Sequence, residues 1–412
     1  MKEDLILEES EQGQFDNAMD TVLREGARKL LQQAIEEEVA RYLEQSKNEL
    51  DSRGHRLVTR NGRLPERKVL TGIGPLQVSQ PRVRDKREGR RFNSSILPKY
   101  ARRTPSLEAV IPTLYLKGVS TGDFSEALES LLGKNAPGLS PSNIVRLKQV
   151  WEKEHTKWSK RDLSQKNYVY MWVDGIYSNV RLTDDRPCIL VIIGALADGT
   201  KELVTVYDGQ RESKLSWKEV LQDLKRRGLP HGPKLAIGDG ALGFWAALAE
   251  EYPETRQQRC WVHKTANILD KLPKSVQVSA KSLIHEMYMA PTKSDAMKAY
   301  RSFLETYEDR YPKACKCLEK DEQQLFTFYD FPAKHWGHIR TTNPIESAFA
   351  TVRHRTRQTK GCGSRKATIT MVYMLAREAE KSWNRLRGYK LMDKVIQGVT
   401  FRDGDEVKEL AA

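Results

Sequence analysis

The chain has 412 residues, more than one hydrophobic core ordinarily serves, and 39% of them are hydrophobic, so roughly two to four folded domains are expected. Lysine and arginine number 69 against 55 acids, a net charge of +14, and so basic a surface attracts polyanions because neutralised phosphates release their counterions. No apolar run reaches the roughly 20 residues of a membrane span, and the opening MKEDLILEESEQ lacks the basic-then-apolar order of a secretory signal, so a soluble, cytoplasmic, nucleoid-associated protein is expected.

Residues 1–52 read as an N-terminal helical region. From Asn17 to about Gln45, Val22, Leu30, Leu31, Ile35, Val39 and Leu43 recur at helical spacing among dense charges. Such a face needs a partner surface, either the first domain or a second copy in a dimer.

Residues 53–104 alternate around Gly62, Gly72, Gly74, Pro65, Pro75 and Pro81, the pattern of a small hairpin or sheet. The stretch is also strongly basic: Arg82, Arg84, Lys86, Arg87, Arg90, Arg91, Lys99, Arg102 and Arg103 stand against Asp85 and Glu88. That density suits a phosphate backbone, with a solvated loop as the plainer reading.

Residues 105–160 hold three helical patterns, SLEAVIPTLYLKG, TGDFSEALESLLG and SPSNIVRLKQVWEKEH, the last with Ser140 as N-cap and Pro141 in its first turn. The layout is that of a helix-turn-helix, with Ser142, Asn143, Arg146 and Lys148 as candidate DNA contacts. An inert packing module has the same pattern.

Residues 161–274 read as three strands, helix, strand, helix, strand, helix. NYVYMWVDGIYSNVRL and PCILVIIGAL open the series, SKLSWKEVLQDLKRRG ends at Gly228, and KLAIGDG is the fourth strand. A meander whose fourth strand returns beside the first brings together the ends of strands one and four, and so Asp174 and Asp239. Residues 275–337 are helical and charged, as an insertion. Residues 338–412 bring Glu346, on a helix beginning near Asn343 and Pro344, followed by basic helices.

An aspartate before glycine at the end of a strand is commonly a plain turn. Three acids so arranged also suit a site for a pair of hard divalent cations, Mg2+ with Mn2+ as a substitute, that clamps the attacking and leaving oxygens of an in-line displacement at phosphorus. Glu346 is the only acid between Arg340 and Lys366, a window holding Arg353, Arg355, Arg357, Lys360 and Arg365. A lone carboxylate in a basic helix fits a metal ligand beside DNA, and intrahelical pairing with the arginines is the alternative.

Cys260 and His263 have the spacing C-x-x-H, but His285, Cys315, Cys317, His335 and His338 complete no clean four-ligand pattern, so zinc is not expected. The five cysteines, Cys188, Cys260, Cys315, Cys317 and Cys362, are scattered and odd in number, which fits free thiols. Trp172, Trp245 and Trp261 flank the acid motifs, where a tryptophan either packs in the core, its commoner fate, or stacks on an open base.

VDGIY, AIGDGALGFW, QRCWVHKTANILDKLP, TTNPIESAFATVRHRTRQTKG and RNGRLPERKVLTGIGPLQVSQPRVRD resemble the bacterial Mutator-type insertion-sequence transposases, over roughly Ala27 to Lys390. The resemblance implies an α/β fold: an RNase H-like mixed-sheet catalytic domain with an α-helical insertion, preceded by mainly helical DNA-binding domains. It implies an Asp-Asp-Glu triad, with Asp174, Asp239 and Glu346 on the matching positions, and a shared Cys260 and His263 pair. The implied activity is metal-dependent 3′-end cleavage and strand transfer by a homodimer on paired terminal inverted repeats, through a copy-out, paste-in circle. The DNA-facing candidates are Arg82, Arg84, Arg87, Arg90, Arg91, Arg146, Lys148, Trp261, His263, Arg353, Arg355, Arg357 and Lys360. A silent DNA-binding repressor and a structure-specific nuclease of the same fold are the alternatives.

Overall fold

The computed structural model describes residues 2–104, 106–107, 114, 116, 141–177, 188–209, 211–240, 242–358 and 364–407. Most of the first two helical patterns of the helix-turn-helix reading, and Lys360, lie outside the described residues, as do the side chains of Ser142, Asn143, Arg355 and Arg357. The chain divides into two compact units, Met1–Leu147 and Lys148–Ala412.

In the first unit a single helix, α1 (Lys2–Gln45), precedes β1 (Val58–Arg63), β2 (Arg67–Thr71), β3 (Gly74–Val78) and β4 (Pro81–Asp85). β2 and β3 form a hairpin nested between β1 and β4, which pair antiparallel. Only the second half of the apolar stripe on α1 is spent here: Ile35 and Leu31 pack on Val69, Val78 and Leu97. Val22 and Leu30 are each 70% exposed. The Gln32 amide reads the Ser79 backbone like a strand partner, donating to its carbonyl at 2.8 Å and accepting from its N–H at 3.1 Å.

Helix α2 (Pro141–Ser159) carries the chain across the boundary between the units. The second unit is built on a five-stranded mixed sheet of β5 (Tyr168–Tyr177), β6 (Cys188–Leu196), β7 (Lys201–Gly209), β8 (Leu235–Gly238) and β9 (Arg256–Arg259). The strand order is β7-β6-β5-β8-β9, with the meander antiparallel and β5, β8 and β9 parallel. The fourth strand does return beside the first, as the run order predicts.

Period-two alternation divides the sheet's residues between two faces. Met171, Val173, Leu190 and Ile192 pack beneath Trp217, Val220, Leu221 and Leu224 of α3 (Lys214–Arg226) and Phe244, Ala247 and Leu248 of α4 (Leu242–Glu251). Tyr170 and Trp172 point the other way: the Tyr170 hydroxyl meets His335 Nδ1 at 2.8 Å and Trp172 Nε1 donates to the His338 carbonyl at 2.9 Å. Asp174 shares their parity and therefore their face.

After β9 come α5 (Trp261–Leu269), α6 (Lys274–Met289), α7 (Lys293–Tyr307) and α8 (Pro312–Glu319), then short helical turns, then α9 (Asn343–Gln358) and α10 (Arg365–Glu380). Among the described residues there is no strand between Arg259 and Phe401, so the 275–337 stretch is helical as expected. Helix α9 packs on β5 and β6 and α10 on β7, covering the sheet face opposite α3 and α4.

Candidate active site

The parallel register of β5 and β8 sets Val173 opposite Gly238, so Asp239, the first residue past β8, comes to stand beside Asp174, which lies within β5, with the two strands about 4.8 Å apart in the ladder. Gly238 permits this approach, since a Cβ there would stand 2.9 Å from Val173 Cγ2. Asp174 is only 6% exposed, and the Gly175 amide donates to its Oδ1 at 2.8 Å. Trp245 Nε1 donates to the Asp239 carbonyl at 3.0 Å and holds that turn. The carboxyl ends of parallel strands, at the point where strand order reverses, are where open α/β sheets bind ligands.

β9 extends the same edge. Gly238 lies opposite Arg259, and the next residue, Cys260, donates its N–H back to the Gly238 carbonyl at 2.8 Å and begins α5. His263 follows one turn later. Thr342, fully buried just before α9, ties this corner to Glu346. Its N–H donates to Cys260 Sγ at 3.3 Å, and its hydroxyl lies 3.3 Å from the same sulfur, 3.3 Å from His263 Nδ1 and 2.9 Å from Glu346 Oε1. The Thr342 carbonyl accepts from the Glu346 N–H at 3.0 Å, so Thr342 takes the N-cap position and α9 begins at Asn343, where the sequence places it. His263 Nδ1 stands 3.9 Å from Glu346 Oε1.

Charge is unevenly balanced here. Burial, then the neighbouring Asp239, pushes the Asp174 carboxyl up to about 6, against His263, the Gly175 amide and Arg353. The side-chain hydrogen bond to Cys260 outweighs burial and lifts His263 to about 9, with Asp174 and Asp239 adding to it. Burial alone raises the Cys260 thiol, but hydrogen bonds from His263 and Thr342 bring it below its ordinary value. His263 and the Cys260 sulfur therefore form a hydrogen-bonded pair at the rim of the acids.

The relatives of this sequence decide what such a chain is. A family model described as "Transposase, Mutator family" matches residues 1–386. The chain belongs to the Mutator family of transposases. It is 51% identical over 279 residues to the transposase for insertion sequence element IST2 of Acidithiobacillus ferrooxidans, covering 68% of this chain and 94% of that protein. Against the transposase for insertion sequence element IS6120 of Mycolicibacterium smegmatis it is 49% identical over 298 residues, 72% of this chain and 92% of that one. A more distant relative, the transposase for insertion sequence element ISRM5 of Rhizobium meliloti, is 29% identical over 373 residues, 90% of this chain and 91% of the other.

For this Mutator-family chain the fold brings Asp174, Asp239, His263 and Glu346 to one corner. Arg353, exposed on α9, is near enough to favour the charged form of Asp174. Arg82 and Arg84 alternate with Val83 on β4 and are exposed together on one face; Arg90, Arg91 and Arg146 are exposed and Lys148 half-buried. Two expectations change. Trp261 is fully buried, its Nε1 donating to the Leu325 carbonyl at 2.8 Å, so it is a core residue and offers no face to a base. The Arg87 guanidinium is held by Asp85 at 2.7 Å, Tyr42 at 2.7 Å and Glu49 at 2.9 Å, and so it knits the small sheet to α1.

Cys260 and His263 do gain another potential ligand, which spacing did not show: their donor atoms and that of Glu346 lie within 4.8 Å of one another. Among the described residues that cluster stops at three, short of a closed zinc site. Sequence reading also passes over Glu212. Its signal is an acid immediately before the Ser213 cap of α3, which looks like ordinary helix-end chemistry until β5 is placed beside it. The four described cysteines, Cys188, Cys260, Cys315 and Cys317, are free, and no helix of the described residues is long and apolar enough to cross a membrane.

Proposed function

We propose that this chain is an insertion-sequence transposase whose catalytic domain is RNase H-like and whose Asp174, Asp239 and Glu346 hold the divalent cations of DNA cleavage and strand transfer. The observation that carries the reading is the adjacency of Asp174 on β5 and Asp239 just past β8, with Glu346 joined to the same corner through His263 and Thr342. The 3-2-1-4-5 strand order and the helical stretch between Asp239 and Glu346 support the fold assignment. The donor set fits Mg2+ or Mn2+: three carboxylates offer oxygen ligands, and a hard dication relieves the cost that burial and the neighbouring Asp239 put on ionising Asp174.

When bound, such cations lower the pKa of the attacking water or 3′ hydroxyl and neutralise charge developing at phosphorus. Asp174 and Asp239 hold them from the sheet, and Glu346 from α9. Thr342 fixes the Glu346 carboxylate from one side, and the positive His263 favours the ionised form of Asp174. Cys260 is fully buried and does not reach the DNA, and the proposed displacement proceeds without a covalent protein intermediate. The domain's contribution is positioning and charge. Double-stranded DNA, both inverted-repeat ends and target, lies along exposed arginines, and two copies pair the ends, the stripe Met19, Val22, Leu23 and Leu30 on α1 being the contact between them. The copy-out, paste-in circle is the pathway that the family resemblance supplies.

The test is to incubate the full chain with Mg2+ and duplexes ending in the element's own inverted repeats. Wild type nicks the 3′ ends and joins them; Glu346→Gln binds the same duplex and does neither. Nicking by Glu346→Gln at the wild-type rate ends the catalytic reading, and binding without nicking by wild type turns it into a repressor. In the same binding assay, Arg82→Ala with Arg84→Ala is expected to weaken affinity on any sequence and to reduce the slope of log K against log salt by about 0.9 for each phosphate no longer neutralised. An unchanged slope takes both arginines off the DNA face.

A further inference from the structure

Glu212 lies between β7 and α3, directly before the Ser213 side chain that caps α3 by accepting from the Ser216 N–H. Two glycines measure how tightly it is held. A Cβ on Gly175, the residue after Asp174, would stand 3.1 Å from Glu212 Oε2 and 3.0 Å from Cys188 Sγ. A Cβ on Gly243, at the start of α4, would stand 2.7 Å from the Lys214 nitrogen and 3.1 Å from the Glu212 carbonyl oxygen. The carboxylate thus fills the space that a side chain at position 175 would need, beside Asp174, while α4 wedges its backbone in place.

This carboxylate is short of positive partners. Asp239 and Asp174 both act on it unfavourably and more strongly than the cation His263, which is already engaged with Cys260 and Glu346. Trp217 is fully buried in the first turn of α3. Its Nε1 faces the Glu212 carboxylate but completes no hydrogen bond. A half-buried acid repelled by two others, beside an unsatisfied indole N–H, is a poor arrangement for structure alone. It becomes a sound one when a dication supplies the missing charge, because hard divalent cations take several oxygen ligands and draw carboxylates together.

We infer that Glu212 is a fourth carboxylate of the divalent-cation site, an oxygen ligand that approaches from the α3 side of the sheet while Glu346 approaches from the α9 side. This rests on the reading of Asp174 and Asp239 as metal-holding residues. Ligands from both faces fix a cation beside β5 and β8 more firmly than three acids from one face, because α9 is then not the only element besides the strands that supplies a ligand.

The experiment titrates the full chain with Mn2+ alone, without DNA, following bound Mn2+ by electron paramagnetic resonance and the Mn2+-induced rise in Tm. Glu212→Gln is expected to raise the Mn2+ concentration needed for half-saturation about tenfold or more, and Glu212→Asp to recover part of that loss. A cooperative melt without metal shows that each variant is folded; if Glu212→Gln gives none, Glu212→Asp carries the test, since a shortened carboxylate that binds Mn2+ as wild type does overturns the inference equally. Wild-type Mn2+ binding by Glu212→Gln, with binding lost in Asp174→Asn and Asp239→Asn, removes Glu212 and leaves the acid pair standing. Wild-type binding by all three variants overturns the metal-site reading itself.

Discussion

Asp174→Asn is expected to abolish 3′ nicking and joining, by about 10³-fold or more, while making the metal-free protein more stable. The loss follows from removing a charged oxygen of the acid pair on β5 and β8. The gain follows from the same burial. An acid whose folded pKa stands near 6, above its ordinary 3.8, binds its proton more tightly when folded, so its contribution to stability is lost as pH rises from about 4 through about 6. At neutral pH the ionised carboxylate then costs the fold about 3 kcal/mol, and asparagine does not carry that cost. Thermal melts in a chelator should show the variant several degrees above wild type at pH 7 and level with it below pH 4. Added Mg2+ should close the gap by stabilising wild type. Equal melting at pH 7, or retained nicking, contradicts the assignment.

Asp321→Ala is expected to destabilise the second unit by about 3–5 kcal/mol, the cost of leaving buried cations uncompensated. The Arg259 and Lys264 side chains are only 4% and 2% exposed, and both reach Asp321 Oδ2, at 3.1 Å and 2.8 Å. They also bracket the Cys260 and His263 corner, Arg259 at the end of β9 and Lys264 one residue after His263. Loss of the acid therefore loosens the anchor between α8 and α5 as well as the fold, and strand transfer should fall together with Tm. Asp321→Asn keeps an acceptor and should cost less. A Tm within a degree of wild type for Asp321→Ala makes this a surface pair.

These residues mark where sequence reading stops. The strands are legible because β-branched and aromatic runs such as YVYMWV and CILVII admit few other structures, and the meander with a returning fourth strand predicts which ends meet. Asp174 and Asp239 stand out as acids closing such runs. Trp261 is misjudged from sequence because a tryptophan beside a site has the same signature whether it faces in or out; its fate is set by Leu325, far along the chain. Arg87 counts among the phosphate-facing arginines in sequence because charge density along a strand does not reveal that Asp85, Tyr42 and Glu49 converge on one guanidinium. Glu212 escapes notice because its role depends on a gap, the missing side chain of Gly175, that exists only once two strands are side by side.

The sequence by itself determined the family, the mixed α/β character of the second unit, the basic surface and the three acids, since composition, period and motif are properties of the chain read in order. Only the tertiary structure decided which side chains share the corner of Asp174: His263 with its Cys260 partner, Thr342 beneath Glu346, and Glu212 in the space beside Gly175. The reason is that burial and Coulomb interaction act through distance in space. Parallel pairing of β5, β8 and β9 and the packing of α9 across the sheet set those distances between residues that no local pattern connects.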